Sequence, residues 1–108
     1  MEIIKSSTEI SSLFSTGRRC GSRCITLLYQ RREQHDLPGR VAFIAGKKNG
    51  NAVWRNAAKR RMRAIARELG APWAGYDVVF LAKRGILDED YSKVLFACRK
   101  LIRDNVEK

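Results

Sequence analysis

The stretch KKNGNAVWRNAAKRRMRAIAR, which runs from Lys47 to Arg67, is the part of this chain around which the rest is organised. It contains eight basic residues and no acidic residue, so it supplies 8 of the formal net charge of +11. The other 14 of the 22 basic residues nearly balance the 11 acidic residues. The positive charge of the protein is therefore concentrated in this one segment.

The same segment carries the signals of one long helix. Asn51 is a favourable N-cap, residues 52–69 include no Gly or Pro, and Gly70 and Pro72 follow where a helix ends. At about 3.6 residues per turn, the apolar and the basic residues fall on opposite sides. The predicted apolar stripe consists of Trp54, Ala58, Met62, Ile65 and Leu69, and the opposite side carries Arg55, Asn56, Lys59, Arg60, Arg63 and Arg67.

The residues alone leave two interpretations of the basic side. A solvated helix face is the common one, but such faces interleave Glu with Lys, because like charges four residues apart destabilise a helix by ~0.2–0.5 kcal/mol per pair. Here Arg55, Lys59 and Arg63 follow one another at intervals of four residues, so each repels the next. Arg also outnumbers Lys five to one within the helix, and its planar side chain binds phosphate oxygens in pairs. Both features favour a polyanionic partner.

Length and composition limit the classes of protein to consider. The 108 residues, 44% of them hydrophobic, have room for a single domain over residues 1–108. A pI near 10.2 favours nucleic acid, an anionic membrane surface or an acidic protein as partner. No apolar run approaches the roughly 20 residues of a membrane span, and the N-terminus lacks the apolar core of a secretory signal. We therefore expect a cytoplasmic protein.

The string GNAVWRNAAKRRMR, residues 50–63, resembles the arginine-rich motif of the bacterial ribonuclease P protein subunit, GNAVxRNRxKRRxR. The matching positions are Gly50, Asn51, Ala52, Val53, Arg55, Asn56, Lys59, Arg60, Arg61 and Arg63. Ala57 replaces an arginine of that motif, and we interpret it as lying toward the apolar flank of the helix. Lys47 and Lys48 match two lysines that precede the family's helix, where ammonium groups and backbone donors can converge on phosphate, although Gly46 replaces the usual serine.

The resemblance implies a fold and a function. The fold is a single α/β domain of order αβββαβα, with a small mixed sheet and a left-handed βαβ crossover, similar to a domain of a small-subunit ribosomal protein. In the family, a catalytic RNA subunit with its Mg²⁺ ions removes the 5′ leader of precursor tRNA, and the protein binds that RNA and the leader. We therefore expect no catalytic residue and no bound cofactor in the protein itself, and neither DNA nor a membrane as partner.

The resemblance also implies the binding residues. Those expected to bind the RNA subunit are Lys47, Lys48, Arg55, Asn56, Lys59, Arg60, Arg61, Arg63 and Arg67. Phe14 and Arg18 are expected at the cleft that holds the leader. From the residues alone, Phe14 is as readily a core side chain, and Arg18 as readily an exposed loop residue.

Other elements flank the arginine-rich helix. We expect a first helix over residues 7–15, capped by Ser7 or Thr8 and ended by Gly17. For residues 17–23, the lack of periodicity indicates a loop, whereas the resemblance to the family implies a short strand. We predict strands over residues 24–29 and 40–45 that are joined as a hairpin, and a buried strand over 76–82 that lies parallel to a neighbour. We also predict a final helix that begins with the acidic run Asp88, Glu89 and Asp90. Its apolar side consists of Tyr91, Val94, Leu95, Cys98, Leu101 and Ile102.

Candidates for other chemistry are weak. Cys20, Cys24 and His35 lack a standard zinc spacing, and the three cysteines are expected to be reduced. The acidic run 88–90 suits helix capping and the helix dipole, and His35 is expected at the surface. A stand-alone nuclease would need a carboxylate cluster or a histidine pair, which the sequence does not offer. A different basic RNA-binding protein, of ribosomal or RNA-chaperone type, and a DNA-binding module stay open as alternatives.

Overall fold

The computed structural model describes residues 1–33 and 37–107, which form three helices and four strands. They are α1 (Ser7–Thr16), β1 (Arg18–Gly21), β2 (Ile25–Arg31), β3 (Arg40–Ile44), α2 (Ala52–Glu68), β4 (Tyr76–Ala82) and α3 (Tyr91–Asn105). Short 3-10 turns, Lys47–Asn49 and Arg84–Leu87, precede α2 and α3. The order αβββαβα confirms the predicted fold class, and β1 confirms the short strand that the resemblance implied.

The sheet has the strand order β1-β2-β4-β3. β4 pairs antiparallel with β2 and parallel with β3, so the predicted parallel pairing of the last strand is confirmed. The predicted hairpin between the second and third strands is wrong, because β4 lies between them; β2 forms its hairpin with β1 instead. β2 and β4 are the two inner strands, and Val78, Val79 and Phe80 of β4 are buried on the two faces of the sheet. The handedness of the crossover through α2 stays a prediction.

Each face of the sheet has its own core, because alternate residues of a strand point to opposite sides. The larger core lies under α2 and α3, and the smaller one under α1. The larger core includes Ile25, Leu27, Val41, Met62, Ile65, Val78, Phe80, Ile86, Val94, Cys98 and Ile102, and the smaller one consists of Ile4, Leu13, Leu28, Ala42 and Val79. The domain is thus a sheet with two helices on one face and one on the other, and none of its described helices is long and apolar enough to cross a bilayer.

The ends of the helices confirm some capping predictions and correct others. In α2, Asn51 Oδ1 accepts a hydrogen bond from the Trp54 backbone N–H at 2.9 Å, and Gly70 adopts the left-handed conformation at φ 88° just beyond the helix. In α1, the cap is Ser6 rather than Ser7 or Thr8, since the Ser6 hydroxyl accepts from the Glu9 N–H at 3.3 Å. The Ser6 side chain thus pairs with one of the backbone N–H groups that have no partner inside the first turn, and the helix begins at the next residue.

The acidic run before α3 does not cap the helix with a carboxylate, so that part of the prediction is wrong. The helix begins at Tyr91, and Asp90 holds the N-cap position by its backbone carbonyl, which accepts from Lys93 and Val94 at 3.0 and 3.1 Å. The Asp90 side chain makes no capping hydrogen bond within the described residues. Asp88 follows the 3-10 turn before the helix, so the three acids do not share one helical turn.

An ionic network attaches α1 to the sheet. Arg40 of β3 donates to both carboxylate oxygens of Asp77 on β4, from Nε at 3.0 Å and from Nη2 at 2.7 Å, and the same Nη2 also donates to Glu9 of α1 at 2.5 Å. Hydrogen bonding from Arg40 holds the pKa of the Glu9 carboxyl below its usual range. Arg40 and Asp77 are mostly buried and face each other across two paired strands, so this network links α1 to the sheet beside the smaller core.

Candidate nucleic-acid interface

The outer side of α2 is a row of cations. Asn56, Arg60, Arg63 and Arg67 are exposed, and Arg55 and Lys59 are partly buried on the flank of that row. The inner side buries Ala58, Met62, Ile65 and Ala66, while Trp54 and Leu69 pack partly buried against the same core. The predicted division of the helix into a packed and a basic side is therefore confirmed.

The exposed arginines of α2 are not neutralised by the protein. No ion pair to Arg60, Arg63 or Arg67 occurs within residues 1–33 and 37–107. Neighbouring guanidinium groups one turn apart repel each other, and this repulsion is relieved when an anion binds between them. The geometry suits a polyanion that lies along the helix and offers phosphates at several points.

Arg61 is placed differently from the other basic residues. Its side chain reaches across to the turn before α3 and donates to the backbone carbonyls of Ile86 at 2.9 Å and Glu89 at 2.7 Å. The guanidinium also lies 5.7 Å from the centre of the Tyr91 ring. Burial, together with the nearby Glu68 carboxylate, raises the pKa of the Tyr91 hydroxyl, so the ring stays neutral. Arg61 therefore holds α2 against the start of α3.

Replacing Arg61 by Gln is expected to lower the free energy of unfolding by about 1–3 kcal/mol. The substitution removes two hydrogen bonds from a charged donor and leaves two partly buried carbonyls without their partner. The matched variant Arg60→Gln should change stability by less than about 0.5 kcal/mol, because Arg60 is exposed. Urea denaturation of the two variants measures this difference, and equal stabilities would show that the Arg61 contacts contribute nothing.

The start of α2 is built by close contact between a glycine and an aromatic ring. A Cβ atom at Gly50 would lie 2.7 Å from the Trp54 ring, so no larger residue fits there without displacing the indole. The Gly50 carbonyl accepts from the Arg55 guanidinium at 3.3 Å, and Asn49 Nδ2 donates to the Ala82 carbonyl at the end of β4 at 3.5 Å. These contacts hold the 3-10 turn with the exposed Lys47 and Lys48 next to the first turn of the basic row.

Two residues of the motif take positions on the flanks of the helix. The Arg63 guanidinium lies 5.7 Å from the centre of the Phe43 ring, which directs it toward β3. Ala57 is partly buried and precedes Arg61 by one turn, so it lies on the flank that faces α3. The interpretation of Ala57 as a flank residue is therefore confirmed.

A cleft of about 430 Å³ opens beside the C-terminal end of α1. Its walls are Thr16, Arg18, Tyr29, Gln30, Arg31, Tyr76 and Asn105. The Tyr29 hydroxyl donates to Asn105 Oδ1 at 3.0 Å, and the Arg31 guanidinium lies 5.9 Å from the centre of the Tyr76 ring. The cleft thus combines two aromatic rings with two arginines, which suits a flexible, charged chain with flat groups.

The structure brings one of the two predicted cleft residues to this place. Arg18 lines the cleft, and Phe14 lies on α1 four residues before Arg18 in the chain, outside the lining. Phe14 is 39% exposed, whereas its neighbour Leu13 is 2% exposed and fills the small core. Of the two interpretations of Phe14, core side chain and exposed contact, its exposure therefore favours the second.

Sequence reasoning missed most of the cleft. Tyr29, Tyr76 and Asn105 belong to three different elements, two strands and the final helix. The pairing of β2 with β4 brings the two tyrosines together, and α3 adds Asn105, which the Tyr29 hydroxyl contacts. The available signal was the change from apolar to polar residues at the end of each strand, which marks a sheet edge at which side chains emerge from the core.

The thiols and carboxylates do not assemble a metal site in the described part of the chain, where no three His, Cys, Asp or Glu side chains converge. Cys20, Cys24 and Cys98 are free thiols. Burial raises the pKa of the Cys98 thiol to about 12, and burial also raises that of Cys20, so both stay protonated at neutral pH. His35 lies outside the described residues, so its predicted surface position is untested.

Comparison with known proteins decides the family. The family model of ribonuclease P matches residues 1–105. The chain belongs to the ribonuclease P protein family. The ribonuclease P protein component of Streptococcus mutans is 35% identical over 89 residues, which are 82% of this chain and 73% of that protein. The ribonuclease P protein component of Symbiobacterium thermophilum is 35% identical over 95 residues, covering 84% of this chain and 79% of that protein.

Solved ribonuclease P proteins share the fold. The Staphylococcus aureus ribonuclease P protein superposes with a TM-score of 0.81 at 19% identity, covering 98% of this chain and 96% of that one. The Thermotoga maritima protein gives a TM-score of 0.80 at 21% identity, over 96% of this chain and 97% of that one. The chain is thus an accessory subunit of the ribonucleoprotein endoribonuclease that processes tRNA, as the resemblance of its arginine-rich helix indicated.

Proposed function

We propose that this protein binds the ribonuclease P RNA with the outer side of α2 and the 5′ leader of precursor tRNA with the cleft beside α1. The observation that carries the proposal is the row formed by Arg60, Arg63 and Arg67, which has no ionic partner in the described part of the protein. Arg side chains bind phosphates in pairs of hydrogen bonds, and several of them in a row match the repeating charge of RNA.

The cleft supports the second half of the proposal. A single-stranded leader offers bases that stack on aromatic rings and phosphates that pair with arginines. Tyr29 and Tyr76 supply the rings, Arg18 and Arg31 supply the charges, and Phe14 is exposed on α1 two residues before Thr16 of the cleft wall. The wall of the cleft is held in shape by the hydrogen bond from Tyr29 to Asn105. The binding of leader and of RNA subunit therefore uses separate surfaces.

In this proposal the RNA subunit carries out the cleavage reaction, and the protein has no catalytic residue. Mg²⁺ ions would supply the activated water and the charge stabilisation for phosphodiester cleavage, and we propose that the RNA subunit holds them. The protein contributes position and positive charge, which lower the Mg²⁺ concentration that the assembly needs. The proposed site of action is the cytoplasm.

One cleavage experiment tests the proposal. A precursor tRNA with a 5′ leader is incubated at low Mg²⁺ with the protein alone, with a bacterial ribonuclease P RNA alone, and with both. We expect cleavage at the mature 5′ end that is strongly enhanced only with both. No enhancement over the RNA alone would reduce the protein to a basic RNA-binding protein of the same fold, and cleavage by the protein alone would place catalytic residues in it.

Replacing Ala57 by Arg is expected to tighten binding of the RNA subunit and to raise the dependence of log affinity on log salt by up to about one unit. The added guanidinium restores the motif pattern on the flank between the cationic row and Arg61. Ala57→Gln is the control, because it adds a long polar side chain without charge. Titrations of the RNA across a salt series measure both quantities, and weaker binding by the Arg variant would assign Ala57 to the packed side of α2.

A further inference from the structure

The outer side of α3 carries an aromatic ring that the core does not use. Phe96 is 70% exposed, although it lies mid-helix, where Val94, Cys98 and Ile102 are buried on the other side. It is the most exposed aromatic side chain among the described residues. A single exposed apolar residue is common on protein surfaces, so the surroundings of Phe96 decide what the ring can do.

Positive charge surrounds this ring. At about 100° per residue, four basic side chains lie within roughly 60° of Phe96 around the helix axis. They are Lys93, Arg99, Lys100 and Arg103, and all are exposed. Lys93 contacts Glu89 and Arg103 contacts Asp104, each at 3.7 Å, whereas Arg99 and Lys100 have no ion pair within the described ranges. These five residues, Lys93, Phe96, Arg99, Lys100 and Arg103, are named the α3 face.

A recess adjoins the α3 face on one flank. It measures about 140 Å³ and lies between α3 and the turn that joins β1 to β2. Lys93, Val94 and Ala97 form its helix side, Ser22, Arg23 and Cys24 form the opposite side, and Glu89, which pairs with Lys93, completes the lining. The surface next to Phe96 is therefore concave and apolar at its floor, with a basic residue on either rim.

We propose that the α3 face is a second RNA-binding surface, on which an unpaired nucleobase stacks on Phe96 while the flanking phosphates pair with Arg99 and Lys100. Every base offers a flat π-face to an aromatic ring, and Arg99 and Lys100, one turn beyond Phe96 and on either side of it around the helix axis, are placed for the backbone of the same strand. An acidic protein would match the charges without using the flat ring, and a lipid surface needs a broad apolar side, of which α3 exposes one residue.

The α3 face differs in chemistry from the cationic row of α2. Trp54, the only aromatic residue of α2, packs against the core, so the row of α2 binds by charge alone. The α3 face adds stacking, which salt weakens far less than it weakens phosphate contacts. The inference rests on the proposed function, because the ribonuclease P RNA and precursor tRNA are the two RNAs that the protein would meet.

Binding titrations with the full chain test the inference. Dissociation constants for ribonuclease P RNA and for precursor tRNA are measured over a salt series for the wild type, Phe96→Ala, Phe96→Leu, Phe96→Tyr and the double variant Arg99→Gln, Lys100→Gln. We expect Phe96→Ala to weaken binding of at least one RNA about tenfold with an unchanged salt slope. Phe96→Leu should lose as much affinity as Phe96→Ala, and Phe96→Tyr should bind as tightly as the wild type. The double variant should lower the slope of log affinity against log salt by roughly one to two units.

The pattern of losses identifies the partner. If Phe96→Ala binds the ribonuclease P RNA more weakly, the stacked base lies in that RNA. If Phe96→Ala binds only precursor tRNA more weakly, the stacked base lies in the substrate. Wild-type affinity of Phe96→Ala for both RNAs overturns the inference while leaving the proposed function intact. Full affinity of Phe96→Leu overturns base stacking, and self-association of the wild type that Phe96→Ala abolishes would assign the face to a second copy of the chain. A wild type that binds neither RNA removes the proposed function as well.

Discussion

Replacing Arg60, Arg63 and Arg67 together by Gln is expected to weaken binding of the ribonuclease P RNA roughly 100- to 1,000-fold near 0.15 M salt. Each lost contact between a guanidinium and a phosphate costs about 1–1.5 kcal/mol, and a tenfold change corresponds to about 1.4 kcal/mol. Because all three side chains are exposed and have no ionic partner in the described structure, their removal leaves the buried side of α2 intact and costs only the contact of Arg63 with the Phe43 ring.

The salt dependence separates this explanation from a general loss of charge. Three phosphate contacts fewer should lower the slope of log affinity against log salt by about two to three units. The control is a variant with Gln at Lys5, Arg19 and Arg84, three other exposed basic positions, which removes the same formal charge. The control should lose less than about tenfold in affinity through the weaker overall field. Equal losses for both variants would show that binding depends on net charge and not on α2.

Phe80→Ala is expected to have the largest effect on stability, a loss of about 3–5 kcal/mol in the free energy of unfolding. Phe80 is fully buried in the central strand β4, with the Phe43 ring centre 5.4 Å away and the Trp73 ring centre 6.2 Å away. Removal of the ring leaves a cavity between the sheet and α2 that rigid neighbours cannot fill. Because domains of this size are stable by roughly 5–15 kcal/mol, the variant should be partly unfolded at physiological temperature.

The chain offers a matched control for this experiment. Phe96→Ala is the same chemical change at a side chain that is 70% exposed, and it should alter the free energy of unfolding by less than about 0.5 kcal/mol. Chemical denaturation followed by circular dichroism measures both variants under identical conditions. Similar stabilities for the two would contradict the placement of Phe80 in the core.

Local features of the sequence predicted the elements that local physics builds. The period of apolar residues in α2, the Asn51 cap and the position of Gly70 depend on neighbours within one or two turns, and all three are confirmed. The apolar run of β4 was recognisable for the same reason. The capping of α3 failed, because a side chain at the right position caps only when its rotamer turns toward the helix, and Asp90 turns elsewhere.

These local features did not predict how the strands pair over long distances in the chain. β4 inserts between β2 and β3, although β2 and β3 are consecutive in the chain, and in this place both of its edges pair with a strand while helices cover both of its faces. That insertion brings Tyr29 and Tyr76 to one end of the sheet, where α3 delivers Asn105 and the cleft is completed. No spacing in the sequence relates these three residues.

The sequence by itself determined the family, the helix α2 and the division of that helix into a packed and a basic side, because periodicity, capping and charge act over a few residues. Only the tertiary structure decided what each residue of the motif contacts. Arg60 is left in solvent while Arg61, next to it in the chain, reaches the carbonyls of Ile86 and Glu89. The physical reason is that adjacent residues of a helix point about 100° apart, and the position of the chain before α3 depends on the packing of the whole sheet.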